Sequence, residues 1–180
     1  MDFSTFRYIN PLMDFGFKKI FGQESNKVLL IAFLNEIFQG RKHIADLEYH
    51  KTEHPGESKN DRIVIFDVLC TGDDGETFII EVQRGNQKFF KKRAIYYASR
   101  QISAQSVNGQ HWKYNFNEVY VVAILENFTL DGTPSSKYLH HIGLCDRESG
   151  KIFHDGYGFI FIELLNFTKS EIELETELDK

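Results

Sequence analysis

The sequence predicts an α/β sandwich in the order helix, three strands, helix, strand (αβββαβ), with helices flanking a mixed central sheet. Two observations carry this. Runs rich in β-branched and aromatic residues at 63–70, 77–83, 119–125 and 159–165 are interrupted after Gly85 by a segment whose apolar period changes from two to about 3.6. A chain of 180 residues that is 42% hydrophobic and 14% aromatic, with 17 Phe, can bury one substantial core. Strands alternating with helices pack the helices onto a sheet, and a single domain over 1–180 is expected.

Asp14 to Gly22 reads as a short helix or turn ending at the glycine. Ser25 is placed to cap a helix from Val28 to Phe38, stopped by Gly40 and apolar nearly all round, hence expected to be buried. Ile44 to Lys51 alternates weakly as an edge strand, and Thr52 to Asn60, with Pro55-Gly56, is a loop. A β-hairpin follows, from Ile63 to Cys70 and from Thr77 to Gln83. Phe90, Ala94, Tyr97, Ala98 and Ile102 make a helical stripe, and Val119 to Leu125 is a buried strand. Ser135 to Ile152 is turn-rich and ambiguous, Phe159 to Leu165 is a further strand, and Glu171 to Lys180 begins an acidic amphipathic helix.

The hairpin contains the candidate site. A two-residue turn at Asp74-Gly75 would place Asp67 opposite Val82 and send Glu81 to the other face. A three-residue loop Asp73-Asp74-Gly75, with Gly75 left-handed, sets Asp67 opposite Glu81, with Gln83 on the same face. Their β-carbons would then lie roughly 5 Å apart. Two carboxylates that close repel unless protonated or bridged by a cation, and a hard ion that prefers oxygen, Mg²⁺ or Mn²⁺, suits them. The strands are otherwise apolar on both faces, with Phe66, Val68, Cys70, Phe78, Ile80 and Val82 on one and Ile63, Ile65, Leu69 and Ile79 on the other. A charge there is costly unless paired or metal-bound, so pattern alone leaves a metal site and a structural polar pair both open.

Net charge is −5, yet between Glu81 and Glu118 there is no acidic residue and seven basic ones: Arg84, Lys88, Lys91, Lys92, Arg93, Arg100 and Lys113. A basic patch on an acidic chain is a local electrostatic footprint beginning where the carboxylates end, although a solvated helix face would look the same. With no basic-apolar leader and no run of about eighteen apolar residues, a cytoplasmic protein with no membrane span is expected. Cys70 and Cys145 are expected as reduced thiols. His50 and His54 lack the acids or cysteines that would complete a zinc site, adjacent His140 and His141 would point apart in a strand, and Gly156-Tyr157-Gly158 is followed by no helix to cradle phosphate.

The order of elements, with Asp on the second strand and Glu-x-Gln on the third, resembles the PD-(D/E)XK nuclease superfamily and its restriction-endonuclease-like fold. It resembles more closely still the Rpn-like branch often called PD-(D/E)XK nuclease family transposases. The blocks that carry the resemblance are Asp14-Phe15-Gly16-Phe17-Lys18-Lys19-Ile20-Phe21-Gly22, Phe33-Leu34-Asn35, Phe66-Asp67-Val68, Ile80-Glu81-Val82-Gln83, Arg93-Ala94-Ile95-Tyr96-Tyr97 and Phe161-Ile162-Glu163-Leu164. Together they span nearly the whole chain.

The resemblance implies a DNA endonuclease in which Asp67, Glu81 and the backbone carbonyl of Val82 bind a divalent ion, Mg²⁺ or Mn²⁺, with a role in recombination or mobile DNA. Gln83 takes the place of the motif lysine; glutamine can orient water or phosphate but has no charge. Lys88, Lys91 or Lys92 would supply that charge, and these lysines with Arg93 would track the DNA backbone. Asp14 and Lys18, one turn apart, are either an auxiliary acid and phosphate contact or a surface ion pair. Tyr96 and Tyr97 would either help Arg93 clamp phosphate or sit in the core, and a homodimer would allow both strands to be cut. Members of this branch continue into a larger helical C-terminal region, of which 171–180 would be the start. The alternative reading keeps the fold as a DNA-binding or protein-interaction module whose chemistry has decayed.

Overall fold

The computed structural model describes residues 10–54, 64–85, 88–106, 113–133 and 135–176. Asp14–Phe21 (α1) and Lys27–Phe38 (α2) precede three short strands, Leu47–Tyr49 (β1), Glu53–His54 (β2) and Val64–Ile65 (β3). Then come Val68–Gly72 (β4), Thr77–Gln83 (β5), Phe90–Ala104 (α3), Val119–Leu125 (β6), Leu139–Cys145 (β7) and Ile152–Glu163 (β8). Six strands form one mixed sheet in the order β1-β4-β5-β6-β8-β7, while β2 and β3 pair separately. Strands β5, β6 and β8 run parallel, and the outer pairs are antiparallel. The crossover from β5 to β6 runs through α3, as a parallel pair requires.

The sheet divides the core in two. On one face Phe17, Leu30, Leu34 and Ile37 of α1 and α2 pack on Val68, Phe78, Ile80, Val122 and Ile160. On the other, Phe90, Ala94 and Ala98 of α3 cover Leu69, Ile79, Val121, Ala123 and Phe161. Alternation along each strand feeds both clusters, so the central strands carry apolar side chains throughout. No helix among the described residues is long and apolar enough to cross a membrane.

The structure corrects several expectations. Strand 63–70 is broken at Phe66-Asp67, and this shifts the facing of its first half: Phe66 packs with Leu69 under α3, edge-on to Tyr97 at 5.0 Å, and Ile65 is exposed. Ile63 and Pro55-Gly56 lie outside the described residues. Ser25 does not cap α2; it lies in a 3-10 turn, Glu24–Asn26, and the helix starts at Lys27 after Asn26. Val28 and Leu29 of α2 are exposed at 75% and 52%, so the helix is not buried all round. The last strand begins at Ile152 rather than Phe159 and forms a long hairpin with β7, which resolves the ambiguous 135–152 segment. Cys145 stands exposed at the end of β7, Cys70 is buried in β4, and both are free thiols. Glu171–Glu173 is a 3-10 turn closed by a Ser170–Glu173 capping box instead of the start of a longer helix, and 177–180 lie outside the described residues.

Phe78 is fully buried between the rings of Phe38 and Tyr120, each 5.8 Å away. Phe78→Ala should lower unfolding free energy by about 3–5 kcal/mol in a denaturant titration. Phe153→Ala, at a ring 83% exposed, should change it by no more than about 0.5 kcal/mol.

Candidate active site

The hairpin loop decides which side chains meet. Thr71 pairs with Thr77, the Gly72 N–H donates to the Glu76 carbonyl at 2.8 Å, and Gly75 adopts φ 84°. The connection is therefore the three-residue loop Asp73-Asp74-Gly75. Asp73 Oδ1 accepts the N–H groups of Ala45 and Asp46 at 3.0 and 3.2 Å, which pins the loop to the segment entering β1. In the resulting register Val68 faces Ile80, and the next residues outward are Asp67 and Glu81.

The ladder stops at Val68 because the chain before it belongs to the other, two-stranded sheet: Phe66 gives its N–H to Thr52 at 3.0 Å. Val82, paired with Ile124 of β6 on one side, is thereby deprived of a partner on the β4 side. Its N–H donates to Asp67 Oδ2 at 2.9 Å, and the Asp67 N–H donates to Glu81 Oε1 at 3.4 Å. The Asp67 carboxylate is thus tied to the backbone of Val82, and the Glu81 carboxylate to the backbone of Asp67. The carbonyl of Val82 lies on the same edge of β5 as its N–H, since both groups of a strand residue point to one side.

Glu81 is 6% exposed, and its Oε2 accepts the Gln83 amide at 2.9 Å. Gln83 in turn accepts from the Arg93 guanidinium through its Oε1. Arginine only donates, so this contact fixes the amide: oxygen toward Arg93, nitrogen toward Glu81. Arg93 also lies over the rings of Phe90 and Tyr97, at 5.9 and 5.8 Å. Burial, and then the charge of Asp67, push the Glu81 carboxyl up to about 8, against the opposing pull of Arg93 and Lys18. Burial raises Asp67 too, while the Val82 N–H and Lys18 act in the other direction. Burial also raises the Tyr97 hydroxyl, with the charge of Glu81 adding to it.

Lys18 Nζ lies 2.7 Å from Asp14 and 3.7 Å from Asp67, so α1 brings Asp14 and Lys18 to the rim. Asp14 is spent on that lysine, with a side chain 71% exposed. Among the described residues no group of three or more His, Cys, Asp or Glu is arranged to hold a metal ion. The remaining lysines stand apart from the acids. Lys88 and Lys92 lie over the Phe89 ring, and Lys91 pairs with Asp131 at 3.1 Å. The cation that reaches Gln83 is therefore Arg93 rather than one of them. Tyr97 turns inward to Phe66, whereas Tyr96 is 43% exposed.

Two further buried acids, Glu76 and Glu163, were not marked out by the sequence. Glu163, 2% exposed, ends β8 in the row Gln83–Leu125–Glu163 across the parallel strands. Its Oε1 accepts the Leu130 N–H at 2.6 Å, its Oε2 accepts from Asn166, and His140 Nε2 lies 3.3 Å from Oε2. A polar residue closing a buried apolar strand was the available signal, the same one that marks Glu81 on β5. His140 pairs with Phe161 and His141 with Ile160, so the two histidines face opposite sides of the sheet.

A pH dependence follows. Unfolded, Glu81 loses its proton near 4.5; folded and metal-free, it keeps it to about 8. The folded state binds the extra proton in that window, so this contribution to stability is full below 4.5 and is lost as pH rises through 8. In EDTA, Glu81→Gln should match wild type near pH 4.5 and exceed it above pH 8 by an amount on the order of a few kcal/mol, read as a rise in Tm.

A family model described as PD-(D/E)XK nuclease family transposase matches residues 11–180. No curated protein matches the chain. The open mixed sheet with helices on both faces is consistent with the restriction-endonuclease-like fold of that superfamily. The match covers more than nine-tenths of the sequence, and the chain belongs to the PD-(D/E)XK nuclease family transposases.

Proposed function

We propose that this chain is a metal-dependent DNA endonuclease that hydrolyses phosphodiester bonds in recombination or the movement of mobile DNA. The observation that carries the reading is the Asp67–Glu81 pair: two carboxylates joined at the end of a hairpin, one of them buried and held protonated near neutrality by its surroundings. A buried acid pair with only oxygen donors nearby fits a hard divalent cation, Mg²⁺ or Mn²⁺, better than it fits a stabilising contact. Asp67, Glu81 and the Val82 carbonyl would hold that ion. When bound, it would supply a water acidified to near neutral pH and charge neutralisation at the scissile phosphate.

The chain's own residues do the rest. Gln83 keeps Glu81 oriented and presents an amide at the site, and Arg93, fixed on Gln83, stands in for the positive charge of the motif lysine. An arginine here is charged at any working pH and can pair with phosphate oxygens through two donors. Lys18 occupies the opposite rim, where it balances Asp67 and can meet a phosphate. Lys88, Lys91 and Lys92 extend the positive surface along the start of α3. Two chains acting together would cut both strands.

Plasmid nicking with Mn²⁺ or Mg²⁺ tests the proposal. Wild type should nick, EDTA should stop it, and Asp67→Ala and Glu81→Ala should abolish it with the fold retained by circular dichroism. Arg93→Ala should cost roughly 10–100-fold, as loss of a group that positions a metal-site residue does. Equal nicking by wild type and both acid variants would refute the assignment. Absence of nicking by wild type, with DNA binding retained, would favour a binding module.

A further inference from the structure

We propose that the start of α3 carries a subsite for an unpaired nucleotide, so that the chain engages single-stranded DNA beside its acid pair in preference to duplex; this rests on DNA being the substrate. Phe89 is 61% exposed. A lone exposed phenyl ring is ordinary on a protein surface. This one has the ammonium groups of Lys88 and Lys92 at 5.6 and 5.7 Å from its centroid, within cation–π range. Beside it opens a cavity of about 290 Å³ between α3 and the 128–132 segment, walled by Phe89, Phe90 and Phe128 and rimmed by Lys88, Lys91 and Lys92. Phe90 and Phe128 brace that wall edge-to-face at 5.7 Å. Of the three lysines, Lys91 is paired with an acid, Asp131, at 3.1 Å. The first turn of α3 has no acidic residue and no side-chain cap, so the positive end of its dipole adds to the three lysines.

Aromatic faces interleaved with cations match a nucleotide whose base is free to stack and whose phosphate needs a counter-charge. A paired base hides its faces, and a duplex could use only the lysines. Position links the subsite to the chemistry: the Arg93 N–H donates to the Phe89 carbonyl at 2.9 Å, placing Phe89 one turn before the arginine that touches Gln83. That is about 6 Å along the helix axis. A strand stacked on Phe89 would deliver its neighbouring phosphate toward Arg93.

Fluorescence anisotropy in EDTA, where no cleavage takes place, tests this with a labelled oligothymidine and a blunt duplex of equal length. Wild type should bind the single strand about tenfold more tightly. Phe89→Ala should lose about tenfold on the single strand and little on the duplex, and Phe89→Trp should restore it. Lys88→Ala with Lys92→Ala should flatten the slope of log affinity against log salt by about 1.4 on the single strand. Equal wild-type affinity for strand and duplex, or a Phe89→Ala protein that binds the single strand like wild type, would overturn the subsite. The nuclease reading stands or falls separately, on metal-dependent nicking by the wild-type chain.

Discussion

Two carboxylates cannot both ionise side by side in a buried place without something positive between them, and the arrangement around Asp67 and Glu81 is built on that constraint. Burial favours the neutral form of both, and the charge of Asp67 adds to it at Glu81. The fold nevertheless forces them together. Gly75 closes a three-residue loop, the loop sets the register, and the register brings Asp67 beside Glu81 where the ladder ends. Removing the strain by separating the acids would require slipping the hairpin, which would turn Val68, Cys70, Phe78 and Ile80 out of the core they share with α1 and α2. Hydrophobic packing on one face therefore pays for electrostatic tension on the other.

The surroundings temper that tension without removing it. Lys18 approaches from α1 and Arg93, through Gln83, from α3, so cations from opposite faces of the sheet converge on one end of the hairpin. Neither forms a close ion pair with both acids. Gln83 transmits the position of Arg93 to Glu81 while keeping the guanidinium off the carboxylate, and this leaves Glu81 in need of charge compensation. A lysine at position 83 would place an ammonium directly beside Glu81. The glutamine–arginine pair splits that role between a neutral group that orients and a permanent charge set one step back.

Much of this was legible in the residues. Parity along Thr77–Gln83, with the demand of Gly75 for a left-handed position, fixes which acid faces which once the loop length is chosen, and the apolar stripe of α3 is plain from its spacing. The break at Phe66-Asp67 was not legible, because counting alternate residues assumes an unbroken strand, and the β2–β3 pairing that diverts the chain is a tertiary contact. The role of Arg93 was hidden for a related reason: spacing along α3 shows which side of the helix a residue occupies, not which side chain across the crossover it reaches. The early part of β8 failed to register as strand because His154 and Asp155, where the hairpin is exposed, and then Gly156 and Gly158 interrupt the apolar pattern. Exposed Val28 and Leu29 likewise look like core residues when only their type is read.

The central claim is that Asp67 and Glu81 together make a cation site, and Mn²⁺ binding followed by electron paramagnetic resonance tests it independently of any DNA. Free Mn²⁺ loses its six-line signal when the protein takes it up. Wild type should bind about one ion per chain, and Asp67→Ala and Glu81→Ala should each leave the signal of free ion undiminished. Equal uptake by wild type and both variants would place the metal elsewhere and reduce the acid pair to a structural contact.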